Sequence, residues 1–358
     1  MLWALVPPAS ASEAVVAPSL VTVGGLTVDN VIAADGTVGL GQAGGNGAYS
    51  AVGALAFVPR VGLVSHAVAS YPKRVIARLE AGGVDLGGVL WSPERLASCN
   101  WFIYDAAGRR EEDLTSPPEA LGAAGYPTDR LSPEEVVAWR DHLRAHERTG
   151  EVSYSEFRTL HPLDPKQVPV AWQGAKGVHL APSQPDVMVA MLDLFGHKGA
   201  VITADPGWQL AARTLDEITP ILARLDAFLP SEVELTALVP GAALADALSI
   251  VAARCKGAVA VKLGPEGVLV WDAAKGAAVA VPAKPVAALD PTGAGDSFCG
   301  GFLAGLVETG DPVQAASFGA VAASCIVKAF GADGALPIDR AACRAALTSG
   351  SAEMTPCH

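Results

Sequence analysis

Positive charge is scarce in this chain: 25 Lys and Arg stand against 37 Asp and Glu, a net charge of −12. The basic residues form no cluster, so the footprint that holds a phosphate backbone or an anionic membrane surface is missing. Nucleic acid and membrane partners are therefore excluded as expectations. Disorder is excluded as well, because 51% of the residues are hydrophobic and only 17% charged. Long apolar runs are lacking. The longest charge-free stretch, Gly36 to Pro59, holds seven glycines together with Gln42 and Asn46, and the run Pro312 to Val327 is Ala-rich and short. The N-terminus has no basic segment, and its apolar stretch breaks at Pro7, so residues 1–19 read as a flexible tail of a cytoplasmic protein and 349–358 as its C-terminal counterpart. Paired cysteine spacing is absent: Cys99, Cys255, Cys299, Cys325, Cys343 and Cys357 are scattered, which reads as reduced thiols. The histidines lack ligand spacing, His142 and His146 being four apart without a third partner. Neither G-x-x-x-x-G-K-[ST] nor a G-x-G-x-x-G after the first strand occurs.

What is present is a repeated unit: a short β-branched run, a Gly/Pro/Asp turn, then an amphipathic stretch. Strands are predicted at 20–23, 61–65, 177–181, 200–204, 227–229 and 258–263, with helices at 72–81, 186–195, 215–225 and 242–254. Alternation of this kind builds a mostly parallel sheet covered on both faces. Two strands at 267–271 and 277–281 then form an antiparallel edge, followed by helices near 294–308, 312–328 and 339–348. The alternating stretches 28–40 and 99–112 pair as a small β lid. Residues 113–160 are an insertion, in which Ser132-Pro133-Glu134-Glu135 reads as an N-cap, a first-turn proline and a capping-box acid, with Gly150 closing the helix. Val136, Trp139 and Leu143 give that helix one apolar stripe.

The densest chemistry lies in Asp290-Pro291-Thr292-Gly293-Ala294-Gly295-Asp296-Ser297-Phe298. It follows a strand and opens a helix that packs through Phe298, Phe302 and Leu306. Its glycines uncover the backbone amides of 293–296 at the positive helix end, where an anion is held. Asp296 beside those amides suits a base poised next to a phosphoryl group. On spacing alone, an ordinary Gly-rich helix entry with a capping Asp is an equal reading.

This segment closely resembles the D-x-x-G-A-G-D signature of the PfkB, or ribokinase-like, sugar kinases. The resemblance spans about residues 20–348 outside the insertion and is dense at 290–301. It implies a three-layer α/β/α kinase domain with a mostly parallel central sheet and a β lid, carrying ATP-dependent phosphorylation of a sugar or nucleoside hydroxyl. Asp296 takes the place of the catalytic base, and the amides of Gly293, Ala294, Gly295 and Asp296 that of the anion hole. Asp290 stands where many relatives hold a monovalent cation, K⁺. Phosphoryl transfer is mostly positioning and charge neutralisation, which fits these parts.

Weaker motifs fall in the family's order. Asp29, after Gly24-Gly25, matches a carboxylate that binds sugar hydroxyls. Gly44-Gly45-Asn46 resembles the N-terminal Gly-Gly signature, where bare backbone lets a sugar approach. The family's Asn is Tyr49 here, so either Asn46 substitutes or Tyr49 stacks on the substrate ring. Ser231 and Glu234 match N-x-x-E with Ser for Asn, Glu234 reaching Mg²⁺ through water. Lys262, Gly264 and Gly267 resemble the nucleotide loop T-x-G-x-x-G with Lys for Thr, and Phe330-Gly331-Ala332 stands where relatives border the adenine. Between Ala14 and Pro72 the only basic residue is Arg60, so a neutral substrate is expected; Arg109 and Arg110 at the lid tip are the exception to test. A nucleoside kinase, or a weakly catalytic nucleotide- or sugar-binding regulator, are the rival readings. Lid-mediated homodimers are frequent in such families.

Overall fold

The computed structural model describes residues 17–348, apart from 70, 94–95, 98, 113–115, 146–151 and 274. Most of both tails, and the helix-closing role assigned to Gly150, therefore lie outside the described residues. Nine strands form one sheet, in the spatial order Ala277–Val281, Val268–Asp272, Ala258–Lys262, Ala227–Phe228, Val201–Ala204, Gly177–Leu180, Leu20–Val23, Val61–Val68, Val84–Ser92. All neighbours are parallel except the two pairings made by Val268–Asp272, which are antiparallel. The N-terminal strand thus sits inside the sheet, and its four residues are all buried, as parallel strands covered on both faces require. No helix among the described residues is long and apolar enough to cross a membrane.

Two elements were hidden in the sequence. Helix Asn46–Leu55 buries every residue from Gly47 to Leu55. A helix wrapped on all sides has no polar stripe, so it shows no helical period. Strand Val84–Ser92 carries Gly87 and Gly88 and pairs at the sheet edge, a composition that masks a strand. By contrast, the amphipathic helices Lys73–Gly82 and Pro185–Gly196 lie within a residue or two of their predicted positions.

A second, four-stranded sheet stands apart from the first. Its order is Val38–Gly44, Thr27–Ile32, Cys99–Tyr104, Arg110–Glu111, the central pair parallel and the outer pairs antiparallel. The insertion braces it. Ser132 and Glu135 exchange hydrogen bonds at 2.6 and 3.2 Å to cap helix Pro133–Ala145. Trp139 on that helix is fully buried and packs on Trp101 of the small sheet, ring centroids 4.8 Å apart. Trp139→Ala should cost about 3–5 kcal/mol, the range for emptying a buried aromatic site; urea unfolding followed by tryptophan fluorescence measures it, and a loss below about 1 kcal/mol would contradict this packing role.

Candidate active site

The acceptor side is assembled under the small sheet. Asp29, on Thr27–Ile32, is 2% exposed and accepts hydrogen bonds from Thr27 Oγ1 (3.0 Å) and Asn100 Nδ2 (3.1 Å). Burial pushes its pKa up to about 6 against the pull of those two donors. Gly44 lies so close that a Cβ there would fall 2.0 Å from the Asp29 carboxylate. Asn46 accepts from the Gly25 amide at 2.6 Å and donates to the Pro182 carbonyl at 3.4 Å. Tyr49 is 2% exposed, with its ring wedged beneath Gly293, where a Cβ would come within 2.2 Å of it. The ring therefore backs the 290–296 loop instead of offering an open face for stacking, and its buried hydroxyl has no partner.

Asp29, Asn46, Tyr49 and Asn100 line a cavity of about 280 Å³ together with Gly45, Gly293 and Asp296, whereas Gly44 stands behind Asp29 and does not border the cavity. Arg110, Arg158 and Thr292 line it as well. Of the two lid arginines, Arg109 points out, 81% exposed and paired with Asp105, whereas Arg110 pairs with Glu112 and covers the Phe102 ring at 4.9 Å. Arg60 plays no part here, being paired with Asp85. The basic side chains of the cavity thus come from beyond the segment 14–72, out of the lid and the insertion. Two carboxylates, Asp29 and Asp296, face two guanidiniums, of which Arg110 is already paired with Glu112, so once both aspartates are ionised the cavity carries no excess of positive charge.

The 290–296 loop closes one wall. Asp290 is fully buried; its Oδ1 accepts from the Thr292 amide (2.9 Å) and its Oδ2 from the Gly331 amide (3.3 Å). Thr292 Oγ1 meets the Tyr104 hydroxyl of the small sheet at 2.9 Å. Gly293 caps helix Ala294–Thr309 with a left-handed φ of 73°, a conformation natural to glycine. The Ala294 amide turns back to the Pro291 carbonyl at 3.2 Å, which withdraws it from the expected anion hole, while the amides of Gly293, Gly295 and Asp296 stand at the positive helix end.

Behind this helix start lies a buried cluster of charge. Lys262, at the end of Ala258–Lys262, pairs with Asp205, their side chains 12% and 5% exposed. Cys299 Sγ lies 3.6 Å from both Lys262 Nζ and Asp205 Oδ2. Burial works against the ammonium, but Asp205, Cys299 and Glu234 outweigh it and push the Lys262 pKa up. Lys262 Nζ stands 3.8 Å from where a Cβ on Gly295 would sit, so its charge borders the open amides. Asp296 is drawn the other way: burial and the neighbouring Asp205 push it up to about 7, with Lys262 partly offsetting them.

Glu234 belongs to a capping box. Its Oε2 accepts from the Ser231 amide and hydroxyl, both at 2.7 Å, at the start of helix Glu232–Leu238. Burial and Asp205 raise its pKa. Ser231 thus serves as the N-cap, and the other carboxylate oxygen is left for a hydrated cation. Among the described residues no group of three His, Cys, Asp or Glu side chains is placed to enclose a metal. That donor set suits Mg²⁺, which keeps its waters and takes one or two carboxylates plus substrate phosphates.

A second, apolar cavity of about 570 Å³ opens on the far side of the helix start. Lys262, Gly264 and Gly267 line it with Ala294, Gly295 and Phe298, facing the 283–288 loop and Ala320, Ala323 and Ser324 of helix Pro312–Ile326. Gly331 and Ala332 do not reach it. They are buried against the small sheet, where the Gly331 amide anchors Asp290, so the walls suited to an adenine come from residues the sequence reading passed over. Asp205 was passed over too; its signal was a carboxylate at the carboxyl end of a parallel strand, where open α/β sheets collect ligand groups.

With this geometry in hand, comparison with known proteins is decisive. The profile described as pfkB family carbohydrate kinase matches residues 167–339. Over that segment the chain carries a PfkB domain. A cytidine kinase of Thermococcus kodakarensis is 25% identical over 82% of this chain and 90% of its own length. An ATP-dependent ribose-1-phosphate kinase of Halopiger xanaduensis is 28% identical over 87% and 89%. The structure of Arabidopsis thaliana ribokinase complexed with ribose and ATP superposes with a TM-score of 0.61 at 20% identity, covering 92% of this chain and 99% of that one. The chain accordingly has the ribokinase fold: a mostly parallel sheet between helices, with a small separate sheet as its lid.

Proposed function

We propose that this protein is an ATP-dependent phosphotransferase acting on a hydroxyl of a small neutral sugar or sugar-bearing molecule. The observation that carries the reading is the position of Asp296. It faces the acceptor cavity and, one residue from Gly295, adjoins the loop lining the apolar cavity. ATP lies in the apolar cavity with its phosphates toward Gly295 and Lys262, and the acceptor hydroxyl lies near Asp29. Asp296 removes the hydroxyl proton as the phosphoryl group moves in line, while the Gly295 and Asp296 amides and the Lys262 ammonium hold the developing charge. Glu234 would help hold Mg²⁺, which when bound would supply further neutralisation of the phosphates. Residues 20–348, with the lid strands and the 113–160 insertion, act as one kinase domain.

The balanced charge of the acceptor cavity supports a neutral acceptor. A coupled assay of ADP release across neutral pentoses, hexoses, nucleosides and sugar phosphates tests it; turnover confined to sugar phosphates would defeat the neutral reading, and none with any acceptor would defeat the kinase reading. Because the base must be ionised, kcat/KM should fall as pH drops below about 7. A rate flat between pH 5.5 and 8 would remove Asp296 from that role.

A further inference from the structure

The acceptor cavity does not end at Asp29. Beyond Gly25 and Arg158, which border both spaces, a second cavity of about 280 Å³ opens between the strand ends and the insertion. Ligand pockets for small molecules run roughly 300–1,000 Å³. Either space alone falls just short of that range, and together they lie within it, large enough for a ligand of two parts.

The chemistry of the second space is that of a planar, uncharged, hydrogen-bonding group. Ser183 lies in its wall, 4% exposed, and its hydroxyl is buried with no partner. A buried hydroxyl left unmatched costs free energy unless a ligand or water meets it. Gln209 adds an amide and Val187 an apolar surface. His66 contributes a ring whose Nδ1 is tied to the His161 carbonyl at 2.8 Å, and burial lowers its pKa, so it brings no positive charge. Phe157 meets it edge-on and packs at a tilt against His161, centroids 4.9 Å apart, giving the wall an aromatic backing. Arg158 is the one guanidinium present, and it already donates to the Pro182 carbonyl at 2.6 Å. A phosphate group calls for several cations or a cradle of amides; this wall offers neutral donors, acceptors and ring faces.

We propose that this cavity is a nucleobase subsite, so that the physiological acceptor is a nucleoside whose ribose occupies the Asp29 cavity and whose base lies against Ser183, Gln209 and His66. The proposal rests on the acceptor-cavity reading above and names the substrate class for it. Ser183, Val187 and Gln209 lie inside the 167–339 segment that matches the family profile, while the 158–163 wall precedes it and brings the end of the insertion, at Arg158, onto the cavity.

Isothermal titration calorimetry of the full-length protein decides it, because binding needs no turnover. Cytidine and adenosine are titrated alongside ribose and ribose-1-phosphate, into the wild type and into Ser183→Ala and Val187→Phe. At least one nucleoside should bind ten times more tightly than ribose or ribose-1-phosphate. Ser183→Ala should cut the nucleoside-to-ribose affinity ratio about tenfold, the loss of one hydrogen bond, and Val187→Phe, by filling the space, should cut it further. Ser183→Ala suffices should the larger side chain prevent folding. Ribose or ribose-1-phosphate binding as tightly as every nucleoside, or an unchanged ratio in Ser183→Ala, overturns the proposal. Absence of ADP release with any acceptor would remove the kinase reading while these affinities still judge the subsite.

Discussion

Asp296→Asn should lower kcat by about 10²–10⁴, the usual share of a positioned general base, while ATP still binds. The same change should raise the melting temperature at alkaline pH. Asp296 has a folded-state pKa of about 7, well above the ordinary aspartate value near 4 in an unfolded chain. Its folded form therefore favours the proton, and the stability tied to that proton is complete below pH 4 and lost as pH rises through 7. At pH 8 the wild type carries a buried, ionised carboxylate that the Asn variant lacks; toward pH 4 the two melting temperatures should converge. A variant both inactive and less stable at pH 8 would show that Asp296 is held by favourable contacts instead of being kept there for chemistry. Single-turnover kinetics and nucleotide titration separate the catalytic loss from any loss of ATP affinity.

Lys262→Met should be severe in two ways. Removing one partner of a buried ion pair costs about 3–5 kcal/mol, because the other charge is left without compensation; here that charge is on Asp205. Turnover should fall by about 10²–10³, the penalty typical of losing one group that stabilises transition-state charge. The surviving activity should shift its acid limb to higher pH, since Lys262 is what holds the Asp296 pKa down. The double variant Lys262→Met/Asp205→Asn separates the two effects: stability should largely return while turnover does not. Recovery of both would make Lys262 a purely structural residue.

Why some of this was legible in the sequence and some not follows from where the chemistry is stored. The segment 290–298 carries its turn, helix start and carboxylate contiguously, so it could be read directly. Asp29 and Gly44 were reachable because each follows or precedes a recognisable strand. Asp205, Arg110 and Arg158 join the site through topology: they stand on the end of a central strand, the lid and the insertion, and no local spacing links them. The neutral-acceptor argument shows the same limit. It began from the scarcity of basic residues before Pro72, yet the guanidiniums arrive from residues 110 and 158, and the inference now stands on the balance of two against two. Ser231 and Glu234 matched a metal motif in sequence, and the structure adds a local task, capping a helix, that the motif does not mention. Helix Asn46–Leu55 was illegible because complete burial erases the periodicity by which helices are recognised.

The order of the central sheet has a consequence for how this molecule can change. Strand Leu20–Val23 lies between Val61–Val68 and Gly177–Leu180, so the sheet divides into three strands from the early half of the chain and six from the late half. The late half, which the family profile recognises, supplies the amides, Lys262 and the apolar cavity. The early half supplies Asp29, the lid and the insertion. Selection acting on residues 24–166 can therefore retune the Asp29 cavity and its lid while the late part stays untouched, whereas a chimera joined just before Gly177 should leave behind the Ser183, Val187 and Gln209 wall of the second cavity.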